Sequence, residues 1–180
     1  MSLTTIAILL SLYFVGTSFA AKCPTIVTQA NVDVEQYTGL WYEIFRKDNQ
    51  FQSGGQCTNA TYTLKPDGTV GVLNQAINSM GVYEKIEGYA VVKDPAVPGA
   101  LEVNFGPNQK GSYNIMSTDY KEYSVVYSCI DIPNTNINIE FAWILSRRKT
   151  LPLATINKCN EILARLGVSS LGLSATPQNC

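Results

Sequence analysis

The chain has 180 residues, 46% of them hydrophobic, with 13 basic against 14 acidic side chains and a net charge of −1. That length suffices for one domain with a substantial core, and a balance without blocks of like charge speaks against nucleic acid or an anionic membrane as partner. The sequence contains no histidine, so Ser-His-Asp and Cys-His catalysis and histidine-ligated zinc or haem are excluded, and with them most familiar hydrolase mechanisms.

Residues 1–20 carry no Lys, Arg, Asp or Glu, and an apolar run over residues 6–16 leads to Ser18-Phe19-Ala20. This predicts a secretory signal peptide cleaved after Ala20; the apolar run is short for a bilayer span of about 20 residues. The expected mature domain is then residues 21–180, and its expected location is extracellular. Five cysteines follow the leader: Cys23, Cys57, Cys129, Cys159 and Cys180. In a secreted chain they read as disulfides with one thiol left over, in a pairing that sequence alone does not choose. Asn59-Ala60-Thr61 is the only standard N-glycosylation sequon, so Asn59 is the expected acceptor.

After a loose arm opening at Cys23-Pro24, residues 32–37 form one helical turn before Gly39, and residues 40–46 the first strand. Residues 51–56, with Gly54-Gly55, are a flexible loop. Residues 57–64 alternate, Pro66-Asp67-Gly68 is a hairpin turn, and residues 69–77 return as a strand. Residues 82–93, 101–105, 112–117, 123–130 and 137–146 complete eight strands, with loops at 78–81, 94–99 and 106–111. Pro152 opens a helix that runs to about Leu166, where Gly167 caps it. Ile156, Cys159, Leu163 and Leu166 share one face of that helix, which makes Cys159 a buried apolar thiol; a reactive cysteine is the alternative reading. Residues 168–180 read as irregular.

The expected fold class is all-β: an eight-stranded antiparallel up-and-down β-barrel with a C-terminal α-helix packed on the outside. A barrel of about eight strands leaves an interior that holds one small ligand. Strand parity names the inward side chains. If Asn59 faces out to carry a glycan, Cys57 and Thr61 face out with it, and Thr58, Ala60 and Tyr62 face in. Phe141, Trp143, Leu145 and Arg147 share a face whose large apolar groups mark it as interior. A lone inward guanidinium is costly to bury, and laying Arg147 on the ring of Trp41 would relieve it and plug one end.

These residues resemble the lipocalins. Gly39-x-Trp41, Thr118-Asp119-Tyr120 and Arg147 look like that family's three signature regions, in order and across essentially the whole mature chain. Val72-Leu73-Asn74-Gln75, Ile86-Glu87-Gly88, residues 123–129 and residues 141–145 are similar to the apolipoprotein D, insecticyanin and bilin-binding group within it. The resemblance implies pairing of Cys23 with Cys129 and of Cys57 with Cys180, which leaves Cys159 over. It also implies a ligand-facing set of Tyr62, Asn74, Tyr113, Trp143 and Leu145, of which parity independently gives Tyr62, Trp143 and Leu145; parity alone adds Ala60 to the expected ligand-facing residues.

The function this implies is secreted carriage of a small hydrophobic molecule: a bilin, sterol, fatty acid, carotenoid or similar lipid. No catalytic residue, metal or obligatory cofactor is expected, although a biliverdin-type chromophore is a candidate ligand. Loops at 48–56 and 94–99 are expected to control access at the open end. Small Ala60, Ala76 and Gly88 speak for an unfilled interior. A thiol-dependent enzyme and an extracellular scaffold whose loops bind a protein are the competing readings; a cell-surface receptor and self-association are further candidate partnerships.

Overall fold

The computed structural model describes residues 22–49, 52–169 and 172–180, so the leader expected at residues 1–20 lies outside the described residues. A short helix α1 (Val34–Tyr37) is started by Asp33, whose carboxylate accepts from the backbone N–H of Gln36 at 3.1 Å. Eight strands follow: β1 (Gly39–Lys47), β2 (Gln56–Leu64), β3 (Val70–Ile77), β4 (Tyr83–Val92), β5 (Ala100–Asn104), β6 (Lys110–Thr118), β7 (Tyr123–Asp131) and β8 (Asn138–Ser146). Each pairs antiparallel with the next, and β1 pairs with both β2 and β8, which closes the barrel. Helix α2 (Leu153–Arg165) packs on the outside.

A ninth strand, β9 (Leu173–Ala175), corrects the reading of residues 168–180 as irregular. β2 pairs with β1 only over residues 39–42, which leaves the upper edge of β1 open, and β9 pairs with residues 45–47 there. Three residues are too few to show a period in sequence. The tail then crosses to β2. The backbone N–H of Cys57 donates to Pro177, and the Gln178 amide donates to the carbonyls of Glu43 and Thr58, each at 2.8 Å. The tail therefore fills a seam in the barrel wall.

Two layers of core sit on either side of the sheet. Trp41, Tyr62, Val70, Val72, Ile115, Val126 and Leu145 fill the lower interior. Met116, Val125, Tyr127, Ala142 and Ile144 face outward under α2, against Cys159, Ile162 and Leu163. Cys159 and Leu163 are fully buried as their helical spacing predicts; Ile162, beside them, was not in the predicted stripe. Gly167 ends the helix, and the following Val168 N–H returns to the Leu163 carbonyl at 3.0 Å.

The ends of the barrel follow from strand direction. β1 begins at the Trp41 end, so strands leave that end and return to it alternately. The loops at residues 48–49 and 52–55, 78–82, 105–109 and 132–137 surround the mouth. The loop at residues 94–99 joins β4 to β5 at the closed end, not the open one, and the expectation that it gates access is corrected. Gly99 there packs beside Thr28 and Val32 of the N-terminal arm, and its carbonyl accepts from Ile115.

Both disulfides implied by the resemblance are formed. Cys23–Cys129 ties the N-terminal arm to β7 and Cys57–Cys180 ties the tail to β2, with Cα separations of 5.7 and 6.1 Å. Cys159 is the free, buried cysteine.

Candidate functional site: the barrel cavity and its floor

The floor is built by residues far apart in sequence. The Arg147 guanidinium carbon lies 3.8 Å from the centre of the Trp41 ring, and Trp41 is fully buried. Arg147 also donates to the carbonyls of Tyr120, Leu40 and Thr38 at 2.9, 2.9 and 2.8 Å, with longer bonds to Gln36 and Tyr37. One planar cation thus ties α1, the start of β1 and the β6–β7 loop together. Gly39 belongs to this knot: its φ is +94°, and a Cβ would stand 3.3 Å from an Arg147 nitrogen. In the β6–β7 loop the Asp119 carboxylate accepts from the backbone N–H groups of Lys121, Glu122 and Tyr123 at 2.8 to 3.1 Å. Partial burial alone would raise its pKa, but these three donors outweigh it and hold Asp119 below the usual carboxylate range. Thr118 and Tyr120 complete the turn, with the Tyr120 N–H donating to the Thr118 hydroxyl at 2.9 Å.

Above the floor the barrel encloses a cavity of about 760 Å³, within the size range of small-molecule sites. Ala60, Tyr62, Asn74, Tyr113, Trp143 and Leu145 all line it, so the structure brings together every residue of the expected ligand-facing set. Thr58 lines it too, as parity requires. Asn59 pairs with Gln75, and its amide donates to the Cys57 carbonyl at 3.1 Å; alternation along β2 turns it away from Ala60, yet both Asn59 and Gln75 also stand at the cavity's border. Ala60 and Ala76 leave room as expected, whereas Gly88 does not. A Cβ there would come within 2.6 Å of the Phe105 ring, so Gly88 makes space for a side chain that occupies the interior.

Other contributors were not read from sequence. Val72, Ile86, Val103, Phe105 and Val126 supply apolar wall. Ile86 is 43% exposed, yet it pairs with Asn74 on the inner face, so that exposure is to the cavity. Trp143 is held in place by Gln52, whose side-chain oxygen accepts from the indole N–H at 3.1 Å, and it stacks on Phe141 with ring centres 5.8 Å apart.

Glu43 and Arg46 form a buried ion pair at 2.6 Å beneath the Gln52 loop. Strand residues three apart normally face opposite sides. Here the register shifts between Glu43 and Phe45, so Glu43 opposes inward Leu145, Phe45 opposes outward Ile144, and Arg46 opposes inward Trp143. The pair is fully engaged. Thr176 and Gln52 donate to the carboxylate at 2.7 and 2.8 Å, and Arg46 donates onward to the Gly55 carbonyl at 3.0 Å. The signal was present in sequence, because Glu43 shares its parity with Trp41; the bulge was not.

Three phenols meet where the cavity narrows. The Tyr113 hydroxyl is 2.8 Å from that of Tyr37 and 2.9 Å from that of Tyr62, and Tyr37 also contacts the Ser124 hydroxyl at 2.9 Å. Burial pushes Tyr37 up to about 12, and burial first, then the neighbouring phenols, pushes Tyr113 well above its ordinary value. All three therefore stay protonated at neutral pH and remain donors. A space of about 20 Å³ lies among them, lined otherwise by Val34, Val70, Ala90, Leu101, Val103 and Ile115. In the wall above, Thr58 Oγ1 and Asn74 Oδ1 are buried with no hydrogen-bond partner. Unsatisfied polar atoms of this kind cost about 1–3 kcal/mol each; Thr58 and Asn74 border the cavity, but these two atoms are themselves closed off from it.

Among the described residues no group of three or more His, Cys, Asp or Glu is placed to hold a metal ion, and no helix is long and apolar enough to cross a membrane. Residues 32–178 match the lipocalin-like domain. Apolipoprotein D of Macaca fascicularis is 36% identical over 161 residues, spanning 88% of this chain and 84% of that protein. Insecticyanin from the tobacco hornworm Manduca sexta superposes with a TM-score of 0.77 at 24% identity, covering 88% of this chain and 87% of its own. Lobster apocrustacyanin A1 superposes with a TM-score of 0.73 at 22% identity, covering 87% and 91%; at these identities both structures speak to the fold alone.

Proposed function

The chain belongs to the lipocalin-like family, and from that premise we propose that it is an extracellular carrier that holds one small hydrophobic molecule in its barrel. The observation that carries this reading is the cavity of about 760 Å³, whose wall is largely apolar and includes polar residues such as Asn74, Tyr62 and Tyr113. Apolar burial supplies affinity and the few polar atoms fix orientation. Ala60, Tyr62, Asn74, Tyr113, Trp143 and Leu145 are the proposed ligand contacts. The activity is binding and release, with no chemical step assigned to any residue. Its leader is the proposed signal for secretion, and Asn59 the proposed glycan site.

The competing readings each meet an opposing observation. A thiol-dependent enzyme needs an accessible cysteine, but Cys159 is fully buried on the barrel-facing side of α2 and Cys129 is bridged to Cys23. A scaffold acting only through its loops predicts an interior filled by side chains, and this interior is open.

The test is an absorption spectrum of the protein from its native source, followed by mass spectrometry of an organic extract. Bands in the red and near-ultraviolet with a tetrapyrrole mass identify a bilin carrier, and a colourless protein yielding a lipid identifies a lipid carrier. Absence of any stoichiometric ligand, together with no uptake of added bilin or lipid, overturns the carrier reading. Loss of a glycosidase-sensitive mass increment in N59Q, secreted from a eukaryotic host, is the expected result for the sequon.

A further inference from the structure

The barrel wall has a seam, and the last residues of the chain plug it. β1 pairs with β2 only through residues 39–42 and 59–62. Above that point the tail takes the place of β2 beside β1. β9 pairs with Phe45, Arg46 and Lys47, the Thr176 N–H donates to the Ile44 carbonyl at 2.9 Å, and the Asp48 N–H donates to the Gly172 carbonyl at 2.9 Å. On its other side the tail meets β2. The Cys57 N–H donates to the Pro177 carbonyl at 2.7 Å, and the Gln178 amide spans from Glu43 to Thr58. Residues 172–178 are therefore a wedge between two strands that otherwise stand apart. Glu43 and Thr58, the residues bridged across the seam, both line the cavity.

We infer that this wedge is a side gate: reductive opening of Cys57–Cys180 releases it and uncovers a lateral passage between β1 and β2, through which cargo exchanges without crossing the rim. The gate is a property of the wall; the cargo rests on the carrier reading.

The composition of the wedge favours release. Thr176 is its one buried residue, and the others from 172 to 180 are half-buried or exposed. Its hold is largely polar: backbone bonds, the Gln178 amide, and the Thr176 hydroxyl donating to Glu43 at 2.7 Å. Bonds of this kind exchange for bonds to water with little net loss once water can enter. The Glu43–Arg46 pair behind the wedge gains little from burial, because desolvating two charges offsets their attraction. Closure also leaves Thr58 Oγ1 and Gln178 Oε1 buried without partners, and it holds Cys57 at a φ of +53°, a left-handed conformation that a side chain disfavours. Opening hydrates both atoms and frees the backbone at Cys57. An apolar seam would resist wetting; this one is built of groups that accept it.

The bridge keeps the wedge in. While Cys180 is joined to Cys57, a detached tail stays at high effective concentration beside the seam and docks again. Cys180 is exposed, whereas Cys23, Cys57 and Cys129 are half-buried, so an incoming thiolate reaches the Cys180 sulfur first. A dithiol reductant completes the step. Its thiolate attacks Cys180 Sγ, Cys57 leaves as a thiolate and takes a proton, and the second thiol of the reductant displaces Cys180. Two protein thiols and one cyclic disulfide result, with two electrons and two protons passing to the protein.

The test gives the full mature chain a brief pulse of dithiothreitol at pH 8. Alkylation and peptide mass mapping are expected to find Cys57 and Cys180 modified while Cys23–Cys129 stays closed. Amide exchange read by NMR reports on the wall. The Asp48, Cys57 and Thr176 amides, which donate across the seam, are expected to exchange at least about 10-fold faster, with Val125 and Val126 of β7 unchanged. Retinol, loaded as the probe, is followed by stopped-flow fluorescence. A second doorway speeds entry and departure alike, so kon and koff should each rise at least about 5-fold with Kd held within about 2-fold. Unchanged exchange at the three seam amides overturns the wedge. A rise in koff alone, with Kd weakened to match, marks a loosened cavity and overturns the passage. Q178A keeps the bridge and removes the side chain that spans the seam. Its seam amides should exchange about 3-fold faster, and no change there overturns the wedge even where the reduced protein unfolds. Failure of retinol, cholesterol and biliverdin alike to bind removes the carrier reading, and amide exchange still decides the wedge by itself.

Discussion

Replacing Arg147 by methionine tests whether one cation holds the closed end together. The guanidinium makes three short bonds to carbonyls, to Thr38, Tyr120 and Leu40 at 2.8, 2.9 and 2.9 Å, each on a different nitrogen. At about 1 kcal/mol net for each bond of a half-buried group, they contribute roughly 3 kcal/mol. The contact with Trp41 adds about 1 kcal/mol. Methionine on the indole face restores about 1 kcal/mol of packing, so R147M should cost about 3 kcal/mol. For a domain of this size that lowers Tm by about 6–12 °C. R147K keeps the charge but lacks the planar fork, and should recover less than half of the loss. Thermal unfolding followed by far-ultraviolet circular dichroism at pH 7, on ligand-free protein, gives the comparison. An R147M variant within about 1 kcal/mol of wild type would mean that the carbonyls of α1 and the β6–β7 loop are served equally well by water, and that the knot is decoration.

Other perturbations read other parts of the molecule. C57S/C180S opens a loop with a sequence separation of 123, for which chain entropy gives about 4–5 kcal/mol; a urea midpoint unchanged from wild type would show the tail docking without its bridge. Cys159 should resist a disulfide reagent in native protein at pH 8 and react once on unfolding, because its thiol is fully buried. Burial pushes that thiol from 9.0 up to about 12, so its contribution is intact below about pH 9 and declines as pH rises toward 12, where only the unfolded chain ionises. C159A should therefore show a shallower alkaline loss of stability than wild type. Asp119 has the opposite sign. Its depressed pKa stabilises the fold above the unfolded carboxylate value and the benefit disappears as pH falls through the folded value, so D119N should lower Tm at pH 7 and converge with wild type in acid.

The barrel was legible because its strands are long and alternate cleanly, and because single anchors fix whole faces. Asn59 oriented β2, and the Phe141-Trp143-Leu145 set oriented β8, which put Thr58, Ala60, Tyr62, Trp143 and Leu145 on the wall. Arg147 over Trp41 followed from the cost of a lone buried charge. The Glu43–Arg46 pair did not follow, because the bulge at Ile44 changes parity mid-strand and nothing in the local sequence announces it. Nor did the phenol chain, since Tyr37 comes from a helical turn and Ser124 from a strand 87 positions away. The loop at residues 94–99 could have been placed correctly, because alternate hairpins of an up-and-down barrel lie at alternate ends and counting strands from β1 decides it. Phe105 filling the space over Gly88 needed coordinates, since a glycine reads as a gap until a neighbour is seen in it.

The two bridges have a practical side. Cys129 and Cys57 lie toward the mouth ends of β7 and β2, so Cys23 and Cys180 are both fastened on the rim side of the barrel. A tether attached after Cys180 leaves from beside the entrance. On a sensor surface it would turn the mouth toward the support and the Arg147 floor toward solvent, throttling ligand exchange for reasons unrelated to affinity. A tether anchored through the outer face of α2 would leave the mouth clear, and the ratio of exchange rates between the two orientations would measure how much of the traffic passes through the rim.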